Sequence, residues 1–141
     1  MDDHERRTFL LHGTRTGHLA TVREDGRPHV APVWFTLDGD DIIFMTNATT
    51  VKGRNLRRTG EAAMAVDDAA PPYSFVHLTG TVQTVDSADD LDAVWPFALR
   101  ISARYMGDDL AEEYARRNAV PGELLVRLTP AHIVARAGLA D

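Results

Sequence analysis

Apolar and polar residues alternate in short runs through the first 85 residues, which is the period of a β-strand. Two Asp-Gly sequences, at 25–26 and 38–39, separate the first three runs and are typical of hairpin turns. These three runs therefore predict an antiparallel meander, and two more strands follow it. The predicted strands are HLATVRE at 18–24, PHVAPVWFTL at 28–37, DDIIFMT at 40–46, EAAMAVDD at 61–68 and YSFVHLTGTVQTV at 73–85.

The two ends of the chain have different patterns. An N-terminal helix is predicted within residues 1–13, with Asp2 or Asp3 as its cap and Gly13 near its end. At the other end, ELLVRLTPAHIVARAGL at 123–139 predicts one or two strands that return to the sheet. Hairpin-linked strands with helices inserted late predict a mainly β protein, in which the antiparallel sheet closes into a barrel.

A helical insertion is predicted at 87–118, between the fifth strand and the last strands. Ser87 is the expected capping residue, because an acidic residue follows three positions later. Pro96 falls inside the helical pattern and predicts a kink or a break. The predicted apolar face of this helix consists of Leu91, Val94, Trp95, Ala98 and Ile101.

Composition narrows the class of protein. The 141 residues fit a single domain, 1–141, and the absence of cysteine excludes disulfides and thiol catalysis. The charged N-terminus lacks the apolar run of a signal peptide and no run reaches membrane-spanning length, so we expect a cytoplasmic protein without a membrane partner. The histidines have no metal-binding spacing, which predicts no metal site. The net charge of -6 disfavours a nucleic-acid partner.

The segment TTVKGRNLRR at 49–58 is basic although the chain is acidic, and Lys52 is the only lysine. Two threonines precede helix-forming residues, which predicts a helix N-terminus directly after a strand. Helix N-termini bind anions through unpaired amides and the helix dipole, and here Lys52 adds a charge and Arg54 a planar fork of donors. The alternative is a solvated amphipathic helix with Leu56 facing inward, and the pattern alone leaves both interpretations open.

The segment GHLATVREDGRPHVAPVWFTLDGDDIIFMTNATTVKGRNLRR at 17–58 resembles the flavin-binding split-barrel family of pyridoxamine 5'-phosphate oxidase-like proteins. Within that family it is most similar to the B-type class that uses the deazaflavin coenzyme F420. The resemblance covers nearly the whole chain, and RNAVPGELLVRLTP at 117–130 is another specific part of it. It implies a six-stranded antiparallel split β-barrel that forms a homodimer, with two equivalent cofactor sites at the dimer interface.

The resemblance also implies which residues bind the cofactor. The phosphate-binding strand and turn fall on Thr46, Asn47, Thr49, Thr50, Lys52, Arg54 and Asn55. The cofactor ring is expected along the strand that contains Val30, Ala31, Pro32 and Val33. Tyr73 and Phe75 belong to the segment PPYSFV, which resembles the part that closes the pocket. Arg127 and Arg136 are further candidates for contacts across the dimer.

One departure from the family distinguishes two cofactors. FMN-using oxidases of this family place an arginine and a lysine on the ring-binding strand and a basic residue directly before the turn lysine. Here that strand carries only His29 among apolar and aromatic residues, and Val51 precedes Lys52. The sequence therefore favours F420, whose acidic tail of phosphate and glutamates suits an isolated basic patch.

The resemblance implies an F420-dependent oxidoreductase that transfers a hydride from the reduced coenzyme to an unsaturated organic substrate. The accompanying proton comes from solvent or from a side chain, for which Tyr73, His29 and Tyr105 are candidates without a motif. Trp34 and Trp95 are predicted to be packing residues. The alternatives are an FMN-dependent enzyme like pyridoxamine phosphate oxidase and a non-catalytic split-barrel protein that binds a cofactor or a tetrapyrrole.

Overall fold

The computed structural model describes residues 1–141 and contains seven strands and four α-helices. The strands are β1 (Gly17–Val22), β2 (Pro28–Val33), β3 (Phe35–Asp38), β4 (Asp41–Asn47), β5 (Glu61–Asp68), β6 (Ser74–Asp86) and β7 (Glu123–Arg136). The helices are α1 (Asp3–Leu11), α2 (Val51–Thr59), α3 (Leu91–Met106) and α4 (Ala111–Asn118), with a 3₁₀ turn at Asp108–Leu110. None of the four α-helices combines the length and hydropathy that crossing a membrane requires.

All seven strands form one antiparallel sheet in the order β2-β1-β5-β6-β7-β4-β3. Strands β2 and β3 lie at its two ends, yet only Trp34 separates them in the chain. The sheet must therefore curl until its ends approach each other, although no ladder of hydrogen bonds joins them. We call this unpaired junction between β2 and β3 the split. The predicted mainly β, antiparallel split barrel is confirmed.

The pairing of the early strands differs from the sequence prediction. The run predicted as one strand at 28–37 is divided at Trp34, so that its first part pairs with β1 and its second part with β4. The predicted three-stranded meander is therefore wrong: two separate hairpins lie at opposite ends of the sheet, which has seven strands rather than six. Alternation specifies the face on which each side chain lies, but it does not specify the strand with which a segment pairs.

The closing segment forms the single 14-residue strand β7, which pairs with both β6 and β4. Its register on β6 shifts between Thr79 and Gly80. A Cβ atom at Gly80 would lie 1.9 Å from the carbonyl oxygen of Thr129, so only glycine permits this approach of the two backbones.

Apolar side chains fill the barrel, and a second apolar layer joins α3 to its outer surface. The largest fully buried side chains inside the barrel include Leu19, Phe35, Phe44, Met64, Leu78 and Leu128. Outside, Val94 of α3 packs against Ile43 of β4 and Leu125 of β7. The helical insertion is thereby fixed over strands β4 and β7.

Three details of the insertion correct the sequence prediction. Asp90 rather than Ser87 caps α3, with its carboxylate accepting from the Ala93 amide at 3.1 Å. Ser87 instead anchors the start of β7, because its hydroxyl donates to the carbonyl of Glu123 at 2.8 Å. Helix α3 continues through Pro96, so the predicted break does not occur. Leu91, placed on the apolar face by its spacing, is 49% exposed.

Arg104 of α3 connects the helices to the split. Its guanidinium donates to the carbonyls of Leu10 at 2.7 Å, Gly13 at 3.0 Å and Phe35 at 2.6 Å. The same group lies 4.5 Å from the centre of the Phe35 ring. Burial lowers the pKa of Arg104, and the three carbonyls compensate its charge. The N-terminal helix, the insertion and β3 are thus held together beside the split.

Candidate functional site

A cavity of about 300 Å³ lies beside the split, between the barrel and the helices. Its walls come from β2, the Trp34 link, β4, β7 and helices α2, α3 and α4. The lining residues are Pro32, Val33, Trp34, Met45, Lys52, Ala98, Ile101, Asn118 and Glu123. Lys52 and Glu123 supply its two charges, and neither forms an ion pair with any residue of the chain. A cavity that combines apolar side chains with polar and charged groups can hold a small molecule and fix its orientation.

Asn47 shapes the turn between β4 and α2. Its side-chain oxygen accepts from the Thr49 amide at 2.9 Å and from the Thr49 hydroxyl at 2.7 Å. Its amide group donates to Oε1 of Glu123 at 3.0 Å. Both halves of the Asn47 amide are therefore used within the chain, and the turn is coupled to a carboxylate that lines the cavity.

Thr50 starts helix α2, as the sequence predicted. Its hydroxyl accepts from the Gly53 amide at 3.1 Å and lies 2.7 Å from the carbonyl of Asn47, to which it donates. The buried hydroxyl of Thr46 lies 3.1 Å from the Thr50 hydroxyl. The hydroxyls of Thr46 and Thr50 are therefore used within the turn. The donor groups without a partner begin at the next residue, Val51.

The first turn of α2 offers four unused donor groups. The amides of Val51 and Lys52 make no hydrogen bond within the chain, as expected for the first residues of a helix. The side chains of Lys52 and Arg54 also lack any partner, whereas Arg57 and Arg58 both bind groups of their own chain. Two of the four basic residues of segment 49–58 are thus free, and both lie where the helix dipole favours an anion.

Strand β2 presents an unpaired edge beside the cavity. It pairs only with β1, so the backbone groups on its other side have no partner strand. Pro32 and Val33 line the cavity, Ala31 is half-buried, and Val30 is 65% exposed. A proline is tolerated on such an edge because it has no amide hydrogen to donate to a ladder. Free backbone groups and apolar side chains therefore occur together at this strand.

Six of the nine cavity residues were not predicted as site residues: the apolar or aromatic Trp34, Met45, Ala98 and Ile101, and the polar Asn118 and Glu123. Asn118 ends α4 and Glu123 starts β7, and the turn between them forms part of the motif at 117–130. The carboxylate of Asp86 accepts from the amides of Ala88 at 2.9 Å and Gly122 at 3.0 Å, and these bonds lower its pKa. Asp86 thus fixes the backbone next to Glu123. The motif at 117–130 contains both Asn118 and Glu123 and was the only sequence signal for them, because their residue types alone suggested no role.

Several predicted site residues lie away from the cavity of the single chain. Asn55 is buried and donates to the Thr21 hydroxyl at 3.0 Å. Phe75 is half-buried on β6, while Tyr73 precedes that strand, is 43% exposed and has a positive φ of 61°. His29 faces away from Val30 on β2, with Nδ1 buried and without a partner. The roles assigned to these residues stay predictions.

Two further candidate residues, Tyr105 and Arg127, bind groups of their own chain. The hydroxyl of Tyr105 donates to the Arg15 carbonyl at 2.6 Å and accepts from the Phe35 amide at 3.2 Å, and burial raises its pKa. It is therefore a structural group rather than a ready proton donor. Arg127 binds Asp38 at 2.8 Å and Asp41 at 2.9 Å in its own chain.

Several solved structures of other proteins are similar to this chain. A conserved hypothetical protein of Mycobacterium tuberculosis is 24% identical, with a TM-score of 0.82, over 96% of this chain and 84% of that one. An F420 reductase is 29% identical, with a TM-score of 0.68, over 90% and 94% of the two chains. HutZ, the heme storage protein of Vibrio cholerae, is 18% identical, with a TM-score of 0.74, over 97% and 96%.

The split in the sheet agrees with the split barrel that the family resemblance implies. The family model of pyridoxamine 5'-phosphate oxidase matches residues 3–136, from the N-terminal helix to the end of β7. The match includes every element that lines the cavity. The chain therefore belongs to the pyridoxamine 5'-phosphate oxidase family.

Proposed function

We propose that the protein is an F420-dependent oxidoreductase, which transfers a hydride from the reduced deazaflavin coenzyme to an unsaturated organic substrate. Family membership and the similarity to an F420 reductase both support an oxidoreductase that uses a flavin or deazaflavin cofactor. The observation that carries the choice of F420 is the isolated group of unused donors at the start of α2.

The donors at α2 fit the anionic tail of the coenzyme. Lys52 and Arg54 are free, two helix amides are unpaired, and the helix dipole adds positive potential. No other lysine or arginine lines the cavity, and β2 carries neither. Lys52 lines the cavity and Arg54 is exposed. Together they suit the long acidic tail of the coenzyme, which would begin at the cavity and extend into solvent. The free Glu123 oxygen disfavours an additional anion deeper in the cavity.

The unpaired edge of β2 and the apolar walls fit a flat ring. When bound, the coenzyme supplies the hydride chemistry, so the protein needs to bind, orient and exclude water. Backbone groups of β2 would bind polar atoms of the ring, and Met45, Ala98 and Ile101, which line the cavity, would help to exclude water from it. The Tyr105 hydroxyl is used within the chain, so the proton would come from solvent or from one of the other two candidates, His29 and Tyr73.

We propose that two chains form a homodimer and complete the site between them. The strands leave large apolar side chains exposed, which are Val22 at 49%, Val30 at 65%, Ile133 at 36% and Val134 at 40%. A groove of about 730 Å³, lined mainly by residues of β1, β5, β6 and β7, adjoins this surface. Exposed apolar residues of this kind favour an interface, and a partner would also cover the exposed β2 edge.

Titration of the purified protein with F420 and, separately, with FMN tests the proposal. We expect F420 to bind more tightly than FMN, and K52A to weaken F420 binding by about 1.5 to 3 kcal/mol, the range of a lost charge-assisted hydrogen bond. R57A is the matched control, because it removes the same charge from the same helix at a residue that pairs with Asp86.

The alternative functions have distinct outcomes in the same experiment. Tighter binding of FMN would contradict F420 dependence and support an FMN enzyme of this family. Tight F420 binding without oxidation of the reduced coenzyme by any of a panel of enones, imines and quinones would support a non-catalytic binding protein. Equal weakening by K52A and R57A would refute the assignment of the anion site to the start of α2.

A further inference from the structure

Trp34 occupies an unusual position in the chain, as the single residue between the two end strands of the sheet. Val33 before it pairs with Gly17 of β1, and Phe35 after it pairs with Phe44 of β4. The backbone on both sides of Trp34 is thus fixed by sheet hydrogen bonds. The direction of its side chain is set by the barrel and does not depend on a flexible loop.

The indole of Trp34 is also held from one side. Its ring stacks on Tyr105 with centroids 5.0 Å apart and an angle of 4° between the planes. Tyr105 is fixed in turn, because its hydroxyl bonds to the Arg15 carbonyl and to the Phe35 amide. The guanidinium of Arg104 lies 5.0 Å from the Tyr105 ring centre. One face of the indole is therefore backed by an immobile aromatic ring.

Part of the indole surface stays exposed. Trp34 lines the cavity and is 39% exposed, although tryptophan is usually well buried. A rigid aromatic ring with one backed face and one accessible face binds flat conjugated rings with little loss of conformational entropy. We propose that Trp34 is a stacking wall of the cavity that binds a flat, conjugated ring system.

This inference rests on the proposed function only for the identity of the ring. In the proposed reaction both the coenzyme and the hydride acceptor can carry a flat conjugated ring, and both have to reach the same cavity. The stacking surface consists of this chain's own residues, so binding at Trp34 is measurable without turnover. Two ligand titrations distinguish the two sources.

A single-tryptophan protein makes the measurement specific. The chain has two tryptophans, and W95F leaves Trp34 as the only one. In that background, Trp34 fluorescence is followed during addition of oxidised F420, and then of menadione, a flat quinone, to the coenzyme-saturated protein. The compact enone 2-cyclohexen-1-one serves as a control without an extended ring. W34F and W34L are compared with the parent by calorimetry, with urea unfolding as the check on folding.

The expected result is quenching of Trp34 together with a loss of affinity in W34L, either for F420, which assigns the coenzyme ring, or only for menadione, which assigns the acceptor. Affinity for that ligand should fall about tenfold or more in W34L and stay within about threefold in W34F, with no effect on cyclohexenone. Menadione quenching without F420 binding would contradict the proposed cofactor and leave the stacking wall supported.

Two results would overturn the stacking wall. The first is unchanged affinity of folded W34L for both F420 and menadione. The second is Trp34 emission that responds to dilution of the protein and not to either ligand, because the indole would then be covered by a second chain.

Discussion

Gly53→Ala tests whether the start of α2 depends on close contact with β4. A Cβ atom at Gly53 would lie 2.2 Å from the carbonyl oxygen of Asn47 and 3.1 Å from the Thr50 hydroxyl oxygen. An ordinary contact begins near 3.4 Å, so the helix or the carbonyl has to move by roughly 1 Å. That carbonyl also accepts from the Thr50 amide and hydroxyl, so the movement disturbs the helix cap.

Opposing effects set the change in the free energy of unfolding. Overpacking costs about 1 to 3 kcal/mol and a weakened cap about 1 kcal/mol, while alanine in place of glycine in a helix returns up to about 1 kcal/mol. We expect the free energy of unfolding to fall by about 1 to 3 kcal/mol in G53A. Affinity for F420 should fall as well, because the unpaired amides of Val51 and Lys52 shift with the helix.

Urea unfolding measures the stability change, and calorimetric titration measures the affinity. V51A is the matched control, because it places alanine two residues earlier in the same turn, where the side chain is exposed. V51A should leave both quantities close to the wild type. A G53A protein as stable as the wild type and with unchanged F420 affinity would refute the close-contact argument.

Two further predictions concern the carboxylates near the cavity. E123Q keeps an acceptor for Asn47 and removes a negative charge, so calorimetry should show tighter F420 binding; weaker binding would contradict this reasoning. E123A removes the acceptor as well and should lower the free energy of unfolding by about 0.5 to 1.5 kcal/mol. The lowered pKa of Asp86 stabilises the fold above the ordinary aspartate pKa, about 3.9, and this contribution is lost as the pH falls through the lower folded value. Melting temperatures between pH 2 and 7 should therefore show wild type and D86A converging at acid pH, and a constant difference would exclude the carboxylate as the cause.

The sequence predicted most elements because their local signals were strong. Alternation and Asp-Gly turns located the strands, and Thr50 located the start of α2. The division of 28–37 at Trp34 was not predictable, because a ladder partner is a long-range property. The same limit applies to the site: Lys52 stood out by residue type, whereas Asn118 reaches the cavity only through the packing of the insertion.

Asn55 shows a different limit of inference from sequence. It lies three residues after Lys52 in the motif that resembles the family's phosphate-binding turn, yet its side chain is buried and bound to Thr21. Residues three apart lie next to each other on a helix surface, but the sequence does not specify which part of that surface packs on the barrel. A motif therefore identifies residues that occur together, and the fold determines which of them reach a ligand.

The strand order has a consequence for synthesis of the chain. Strand β4 pairs only with β3 and with β7, which is the last strand to be made. Until the segment after residue 122 leaves the ribosome, the β3 and β4 hairpin has no neighbour in the sheet, although the strands β2, β1, β5 and β6 can already pair. Closure of the barrel is therefore a late, long-range step, and a chain truncated before Glu123 would expose the apolar edge of an unfinished sheet.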